Sequence, residues 1–120
     1  MEVIKRLYVE DTKDVKKTLE QYVKNLQNFS DERFKKEYNN VYEMNMHPRF
    51  AYREGGKFYK IIEGQGEAFL KTLRGSVFAF VDKVTGDIYK PAGYNAPAKG
   101  IRGNIFDDKV PLTARELYRR

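Results

Sequence analysis

The first part of the chain carries hydrophobic side chains at helical spacing. Positions 15, 19, 22, 23 and 26 are apolar or aromatic, and this spacing places them on one face of an α-helix. Most positions between them are lysine or other polar residues, which is typical of a solvated helix face. Asp11 or Thr12 can serve as the N-cap. The pattern predicts an amphipathic helix that begins near residue 11.

The same spacing predicts a second helix after residue 30. Ser30 is a candidate N-cap, and the two acidic residues that follow it complement the positive end of the helix dipole. The repeated aromatic and apolar positions are Phe34, Tyr38, Val41 and Tyr42. This helix runs to about residue 45 and must end before Pro48, because the residue before a proline disfavours helical backbone. The two patterns together predict a helical hairpin over residues 11–46, with its turn at residues 28–30. Residues 3–9, a short apolar opening, fit either a strand or a docked arm.

Strand patterns replace the helical spacing from residue 50 onwards. Residues 50–52 and 57–62 are rich in aromatic and β-branched side chains, and they flank Glu54-Gly55-Gly56, which is a hairpin turn signal. Alternation places the side chains of residues 58, 60 and 62 on one face of the second strand. The sequence therefore predicts an antiparallel pair at the start of a sheet.

A second hairpin is predicted at residues 76–90. Residues 76–81 form a continuous apolar run, typical of a strand buried on both faces, in which Phe78 and Phe80 share one face. Residues 82–87 then supply Asp and Thr for local hydrogen bonds and a glycine for positive φ. Residues 87–90 return as the partner strand and end at the following proline, which offers no ladder donor.

The rest of the chain completes an α+β domain. Residues 67–73 fit either a short helix or a further extended piece, residues 92–104 predict a long ordered loop, and residues 113–120 predict a short C-terminal helix. We predict one domain over residues 1–120. Its two N-terminal amphipathic helices pack on a small, mostly antiparallel sheet. Residues 50–106 form this sheet and the long C-terminal loop.

Composition excludes several classes of protein. Hydrophobic residues make up 41% of the chain, which is enough for a folded core rather than a disordered chain. Cysteine is absent from the sequence, so disulfides and thiolate metal sites are excluded, and a reducing compartment is favoured. No apolar run approaches the roughly 20 residues that span a bilayer, and no leader pattern is visible. We expect a cytosolic protein without a membrane partner.

Candidate catalytic chemistry is sparse. The single histidine, His47, precedes a proline at a predicted helix end, where a capping or surface role is favoured over catalysis. Without cysteine or a second histidine, nucleophilic thiol catalysis and most transition-metal sites lack ligands. Asp82 and Asp87 bracket a turn that uses carboxylates for its own geometry. We therefore expect a protein that is not an enzyme and holds neither a cofactor nor a metal.

Charge favours polyanionic partners. The formal net charge is +6, with 10 basic and 9 acidic side chains in residues 1–50 against 13 and 8 in residues 51–120. Basic side chains on or beside the predicted sheet and its loop are interleaved with tyrosines, and single-strand binders combine cations that neutralise phosphates with aromatics that stack on bases. The candidate nucleic-acid contacts are Lys57, Lys60, Lys90, Tyr94, Lys99, Arg102 and Asn104. The alternative is that the tyrosines pack in the core and the lysines are merely solvated.

The segment FVDKVTGDIYKPAGYNAPAKGIRGN resembles a motif of small tailed-bacteriophage proteins, marked by TGDI, KPA, PAK and RGN. The similarity covers residues 57–107 and leaves the N-terminal helices outside. A position that is commonly Trp in that family is Tyr94 here. The resemblance implies a phage origin and action in the cytoplasm of an infected host cell, and it supplies no catalytic residues.

These observations favour a non-enzymatic phage protein that binds nucleic acid, single-stranded and with weak sequence selectivity. The alternative is a protein-interaction module that uses the same loop to bind a host enzyme or defence component. A small-molecule or nucleotide-sequestering protein is a third class.

Overall fold

The computed structural model describes residues 14–37 and 48–118. A single long helix, α1 (Val15–Glu37), opens the described chain and buries Val15, Leu19, Tyr22 and Leu26. Asp14 caps it, since its Oδ1 accepts the backbone N–H of Lys17 at 3.1 Å. The amphipathic face predicted from the spacing is therefore the face that packs. Two lysines in the last turn complement the negative end of the helix dipole.

The predicted turn at residues 28–30 is wrong, because α1 crosses these positions without a break. The segment Asn28-Phe29-Ser30 contains neither glycine nor proline, so nothing in it prevents helical backbone. Ser30 is thus an interior residue and not an N-cap. The continuation of the predicted second helix beyond residue 37, the cap candidates at residues 11 and 12, the apolar opening and His47 lie outside the described residues.

Five strands form an antiparallel sheet in the order β1-β2-β3-β4-β7. They are β1 (Pro48–Glu54), β2 (Phe58–Gln65), β3 (Ser76–Asp82), β4 (Asp87–Tyr89) and β7 (Gly103–Asn104). Both predicted hairpins are present, at β1–β2 and at β3–β4. The remaining elements are α2 (Gly66–Thr72), the two-stranded hairpin β5 (Pro91–Gly93) and β6 (Ala96–Pro97), and α3 (Ala114–Tyr118).

Helix α1 lies on one face of the sheet, which we call the inner face. Its apolar stripe packs with inner-face residues of the three central strands, and with residues of the C-terminal segment, to form the core. The sheet residues of this core include Tyr59, Ile61, Ala79, Val81 and Ile88. Of these, Ile61, Ala79, Val81 and Ile88 have 0% of their surface exposed, so the core is closed to water at its centre.

Polar side chains tie α1 to β1. The Gln27 amide donates to the Pro48 carbonyl at 2.8 Å and accepts the Phe50 N–H at 2.9 Å, as a neighbouring strand would. The Tyr52 hydroxyl donates to Glu20 Oε2 at 2.7 Å, and this hydrogen bond raises the pKa of Tyr52 to about 12. The helix is therefore fixed along the strand by hydrogen bonds as well as by packing.

A β-bulge in β3 overturns the prediction that Phe78 and Phe80 share a face. Ile61 pairs with Ala79 and Ile62 pairs with Val77, so Phe78 is the extra residue of the bulge. Phe78 joins the core under α1 and packs edge-on against Phe50, with ring centroids 5.8 Å apart. Phe80 lies on the opposite face, edge-on to Phe58 at 5.9 Å.

The turn between β3 and β4 forms as predicted. Asp82 Oδ1 accepts the backbone N–H groups of Val84 at 2.7 Å and Thr85 at 2.9 Å, and these bonds lower the pKa of the Asp82 carboxyl. Gly86 follows with φ of +82°. Its buried position also lies against Phe106, where a Cβ would approach a ring carbon to 2.9 Å.

The predicted long loop is largely ordered by short strands. Residues 91–97 form the β5–β6 hairpin, and residues 103–104 add β7 to the edge of the sheet. Helix α2 settles the open question at residues 67–73 in favour of helix, and Phe69 packs where Gly64 and Gly75 leave room for its ring. The C-terminal helix is present as predicted. None of the helices within residues 14–37 and 48–118 is both long and apolar enough to cross a bilayer.

Candidate nucleic-acid interface

The face of the sheet opposite α1, which we call the outer face, presents aromatic and basic side chains. Lys60 pairs with Phe80, and Phe80 pairs with Tyr89, so these three side chains lie on the same face in a row across the sheet. Phe58 stands beside them, edge-on to Tyr89 with centroids 5.8 Å apart. Phe80 is buried, whereas Phe58, Lys60 and Tyr89 are half-buried. This face therefore keeps aromatic surface in contact with solvent.

The β5–β6 hairpin folds over this face and is held there by Lys60. The Lys60 ammonium donates to Asn95 Oδ1 at 2.9 Å and lies 3.9 Å from the centroid of the Tyr94 ring. Both contacts bind the tip of the hairpin to the centre of β2. A cation at this distance from a tyrosine ring is attracted by its π electrons. Tyr94 still has 50% of its surface exposed, so one face of its ring remains open to a ligand.

A depression of about 350 Å³ lies beside these residues, and we call it the Lys60 pocket. Its lining includes the side chains Arg53, Lys57, Phe58, Lys60, Phe80 and Asn95, together with the β1–β2 turn. The acidic residue of its lining, Glu54, is already neutralised: its carboxylate accepts from Lys83 Nζ at 2.7 Å. That hydrogen bond lowers the pKa of Glu54. The pocket is thus a cationic depression with an aromatic wall.

A shallower depression of about 230 Å³ borders Tyr94 and is lined also by Val77, Pro91, Ala92 and Gly93. Tyr94 therefore takes part in the lining of one depression and contacts Lys60, which lines the other.

The structure separates the predicted contact residues into groups. Lys57 and Lys60 line the Lys60 pocket, and Tyr94 lies beside it in contact with Lys60. Lys90 instead lies 5.1 Å from the ring centroid of Tyr118 on α3, and Lys99 is exposed after β6. Arg102 lines a different depression of about 590 Å³, together with residues of α1 and α3.

Asn104 has a structural role. Its side-chain Nδ2 donates to the Thr85 carbonyl and to Asp87 Oδ1, each at 2.9 Å, and its Oδ1 accepts the Phe106 N–H at 2.8 Å. These bonds hold β7 against the β3–β4 turn. The three contacts engage both ends of the amide, so Asn104 belongs to the scaffold of the motif.

Of the residues that line the Lys60 pocket, Lys57 and Lys60 were predicted as contacts, and Arg53, Phe58 and Asn95 are among those that were not. Arg53 on β1 pairs with Lys60 on β2. Alternation along β1, counted from Phe50, would have placed the Arg53 side chain on the outer face. Asn95 occupies the turn between two short strands within a segment that was predicted to be a loop. The flanking pair of prolines at positions 91 and 97 was the available signal for a compact hairpin there.

A further depression, of about 250 Å³, lies on the α1 side of the sheet. Phe50 and Phe78 line it, and so does the half-buried side chain of Glu63. Burial raises the pKa of the Glu63 carboxyl. Within residues 14–37 and 48–118, no group of three or more acidic or histidine side chains is placed to hold a metal ion.

The chain belongs to a family of unknown function, DUF7717, whose model matches residues 5–117. No curated protein and no solved structure matches the chain. The matched region includes α1 as well as the sheet, so α1 is part of the family's common unit. The phage origin inferred from the motif stays a prediction.

Proposed function

We propose that this member of the DUF7717 family is a non-enzymatic protein that binds single-stranded nucleic acid on the outer face of its sheet, with weak sequence selectivity. The observation that carries the proposal is the arrangement of Tyr94, with Lys60 on its ring and half of its surface exposed beside a cationic depression. Following the resemblance to phage proteins, the proposal includes a phage origin and action in the cytoplasm of an infected cell.

The proposed contacts follow from charge and exposure. Arg53 and Lys57 are exposed at the rim of the Lys60 pocket, where they can neutralise backbone phosphates. The rings of Phe58 and Tyr94 offer surfaces for unpaired bases, and stacking of this kind tolerates any base because every base has a π face. Duplex DNA keeps its bases stacked on one another, so this combination favours a single strand.

Binding of a fluorescently labelled oligothymidylate and the matched oligouridylate, followed by anisotropy at low salt, tests the proposal. We expect both to bind, and Tyr94→Ala to weaken binding by about tenfold, within the range of about 1 to 3 kcal/mol for one lost stacking contact. The salt dependence of the Tyr94→Ala variant should stay close to that of the wild type, because tyrosine carries no charge.

Tyr118→Ala is the matched control. Tyr118 is 46% exposed and also has a lysine, Lys90, over its ring, but it lies on α3 and outside the Lys60 pocket. This variant should bind as the wild type does. Absence of binding by the wild type at low salt, or equal losses in the two tyrosine variants, would overturn the proposal.

A protein-interaction module is the second candidate, and exposed apolar side chains favour it. Val84 at the β3–β4 turn is 85% exposed, and Ile101 in the loop before β7 is 58% exposed. Apolar side chains at loop tips are suited to a protein partner such as a host enzyme or defence component. If this candidate is correct, Ile101→Asp abolishes capture of a defined partner from nuclease-treated lysate, and the same variant retains any affinity for oligonucleotides.

A further inference from the structure

The orientation of the Asn95 amide is fixed by its contact with Lys60. A lysine ammonium carries three N–H donors and no acceptor, so the amide atom that it contacts at 2.9 Å must be the oxygen. The amide nitrogen is bonded to the same carbon as that oxygen, and its two N–H groups take no part in the contact with the ammonium. Both side chains line the Lys60 pocket. The lining of the pocket thus includes two side chains that are in contact with each other and that both carry N–H donors, Asn95 through Nδ2 and Lys60 through its ammonium.

We infer that the Lys60 pocket selects bases that present two adjacent acceptors, namely guanine through O6 and N7 or cytosine through O2 and N3. The inference rests on the proposed function and specifies which bases its weak sequence selectivity favours. Asn95 is the residue that determines this specificity. Phe58 forms the aromatic wall against which the selected base stacks.

The same geometry disfavours the other bases. A free asparagine recognises adenine because its oxygen accepts from N6 while its nitrogen donates to N7. In this structure Lys60 occupies the oxygen, so an adenine amino group would meet donors alone. Thymine and uracil present an N3–H donor between their two carbonyl oxygens, and that N–H would also face a donor. Each mismatch leaves a polar group of the pocket without its partner.

The test measures the affinity of the intact protein for an oligothymidylate whose central positions carry guanine, cytosine, adenine or 7-deazaguanine. Guanine or cytosine should lower Kd by about tenfold relative to thymine, since one well-formed pair of contacts to a base edge is worth about 1 to 3 kcal/mol. Adenine should give no gain. If the gain is with guanine, 7-deazaguanine should lose it because N7 is absent; if the gain is with cytosine, the O2 and N3 edge is the one bound.

Asn95→Asp is the decisive variant, because an aspartate keeps the contact with Lys60 but replaces the two N–H donors with an acceptor oxygen. The preference for guanine or cytosine should fall below about twofold, the level expected once the base-edge contact is gone. Asn28→Asp, the same change at an exposed position of α1, should preserve the preference. It corrects for the effect of one added negative charge on overall affinity.

The outcomes separate this inference from the proposal beneath it. Equal affinity for all the oligonucleotides overturns the base selectivity and leaves single-strand binding standing. A preference that survives Asn95→Asp also overturns it, because the selecting donor would then lie elsewhere. Failure of every oligonucleotide to bind at low salt overturns both.

Discussion

At the scale of single residues, the motif that looks most like a binding site divides into side chains that face solvent and side chains that hold the backbone. Asn104 belongs to the second group, because its amide joins the β3–β4 turn, β4 and the residues after β7. Tyr94 and Asn95 belong to the first. Residue type does not distinguish the two groups, since asparagine serves in both.

Asn104→Ala should therefore destabilise the protein and leave nucleic-acid affinity unchanged. Three hydrogen bonds are lost, of which two are partly buried and one is exposed. We expect a decrease of about 2 kcal/mol in the free energy of unfolding, at about 1 kcal/mol for each partly buried bond, because water replaces the exposed one. Urea denaturation measures it. Asn25→Ala is the control, because Asn25 makes an exposed contact with Gln21 along α1 and its loss should cost less than about 0.5 kcal/mol. A stable Asn104 variant with weakened binding would return this residue to the interface.

Glu63 gives the stability a pH dependence of known sign. Burial raises its pKa in the folded protein above that in the unfolded chain, so the unfolded chain ionises first as pH rises. Its favourable contribution is complete below the unfolded pKa and is lost as pH rises through the folded pKa. Above the folded pKa the ionised carboxylate opposes folding.

Glu63→Gln should accordingly raise the urea midpoint at pH 7, because a neutral amide is easier to bury than a carboxylate. The difference from the wild type should shrink as pH falls through the raised folded pKa of Glu63, and it should stop changing below the unfolded value of about 4.3, where the wild-type side chain is protonated in both states. Parallel denaturation curves at the two pH values check this. A variant less stable than the wild type at both would show that the carboxylate has a favourable charged partner.

At the scale of elements, α1 and β3 each depart from what their local patterns predict. Two amphipathic segments with separate N-cap signals form one helix across residues 28–30. The helical backbone continues through Ser30, so no N-cap is required at this position. In β3 an inserted residue turns Phe78 to the inner face and leaves Phe80 on the outer face. The second departure adds Phe78 to the core under α1.

Substitutions at Ser30 distinguish one helix from two. Within a continuous helix, Ser30→Ala should raise stability by a few tenths of a kcal/mol, about the difference in helix propensity, whereas loss of an N-cap would cost about 1 kcal/mol. Ser30→Pro should cost about 3 kcal/mol or more in a helix interior. Thermal and urea denaturation of both variants decide between the arrangements, and a tolerated proline would indicate a break at this position.

At the scale of the whole molecule, basic residues and exposed aromatic rings occur together on the outer face of the sheet and also on α1, where Arg33 lies over the ring of Phe29. The lysines of α1 include Lys17 and Lys24, both exposed on the helix. Lys57 and Lys60 lie at the pocket beside Phe58. A net charge of +6 attracts nucleic acid to the protein as a whole. Direct contact between a basic side chain and a phosphate depends instead on where the nucleic-acid strand lies.

Two double variants of equal net charge separate these effects. Arg53→Ala with Lys57→Ala should flatten the slope of log affinity against log salt by about 1.4, or about 0.7 for each phosphate contact on a single strand. Lys17→Ala with Lys24→Ala should leave the slope close to that of the wild type. Exposed lysines contribute little to folding, so the helix pair should also keep the wild-type stability. Equal slopes for the two variants would contradict binding of the nucleic-acid strand along the outer face of the sheet.

The sequence by itself determined the features that depend on a few neighbouring residues. These are the apolar face of α1, both hairpins, the Asp82 and Gly86 turn, and the C-terminal helix, because periodicity and local hydrogen bonds specify them. It also identified Lys60 and Tyr94 as candidates from their residue types.

Tertiary structure alone decided how distant residues meet. Lys60 and Asn95 are 35 residues apart in the chain, and their contact exists because the β5–β6 hairpin folds back over the outer face. The inward position of Phe78 at the bulge likewise depends on the side chains of α1 and β1 that pack around its ring. No local pattern contains that information, because the free energy of packing depends on partners that the chain brings together only when it folds.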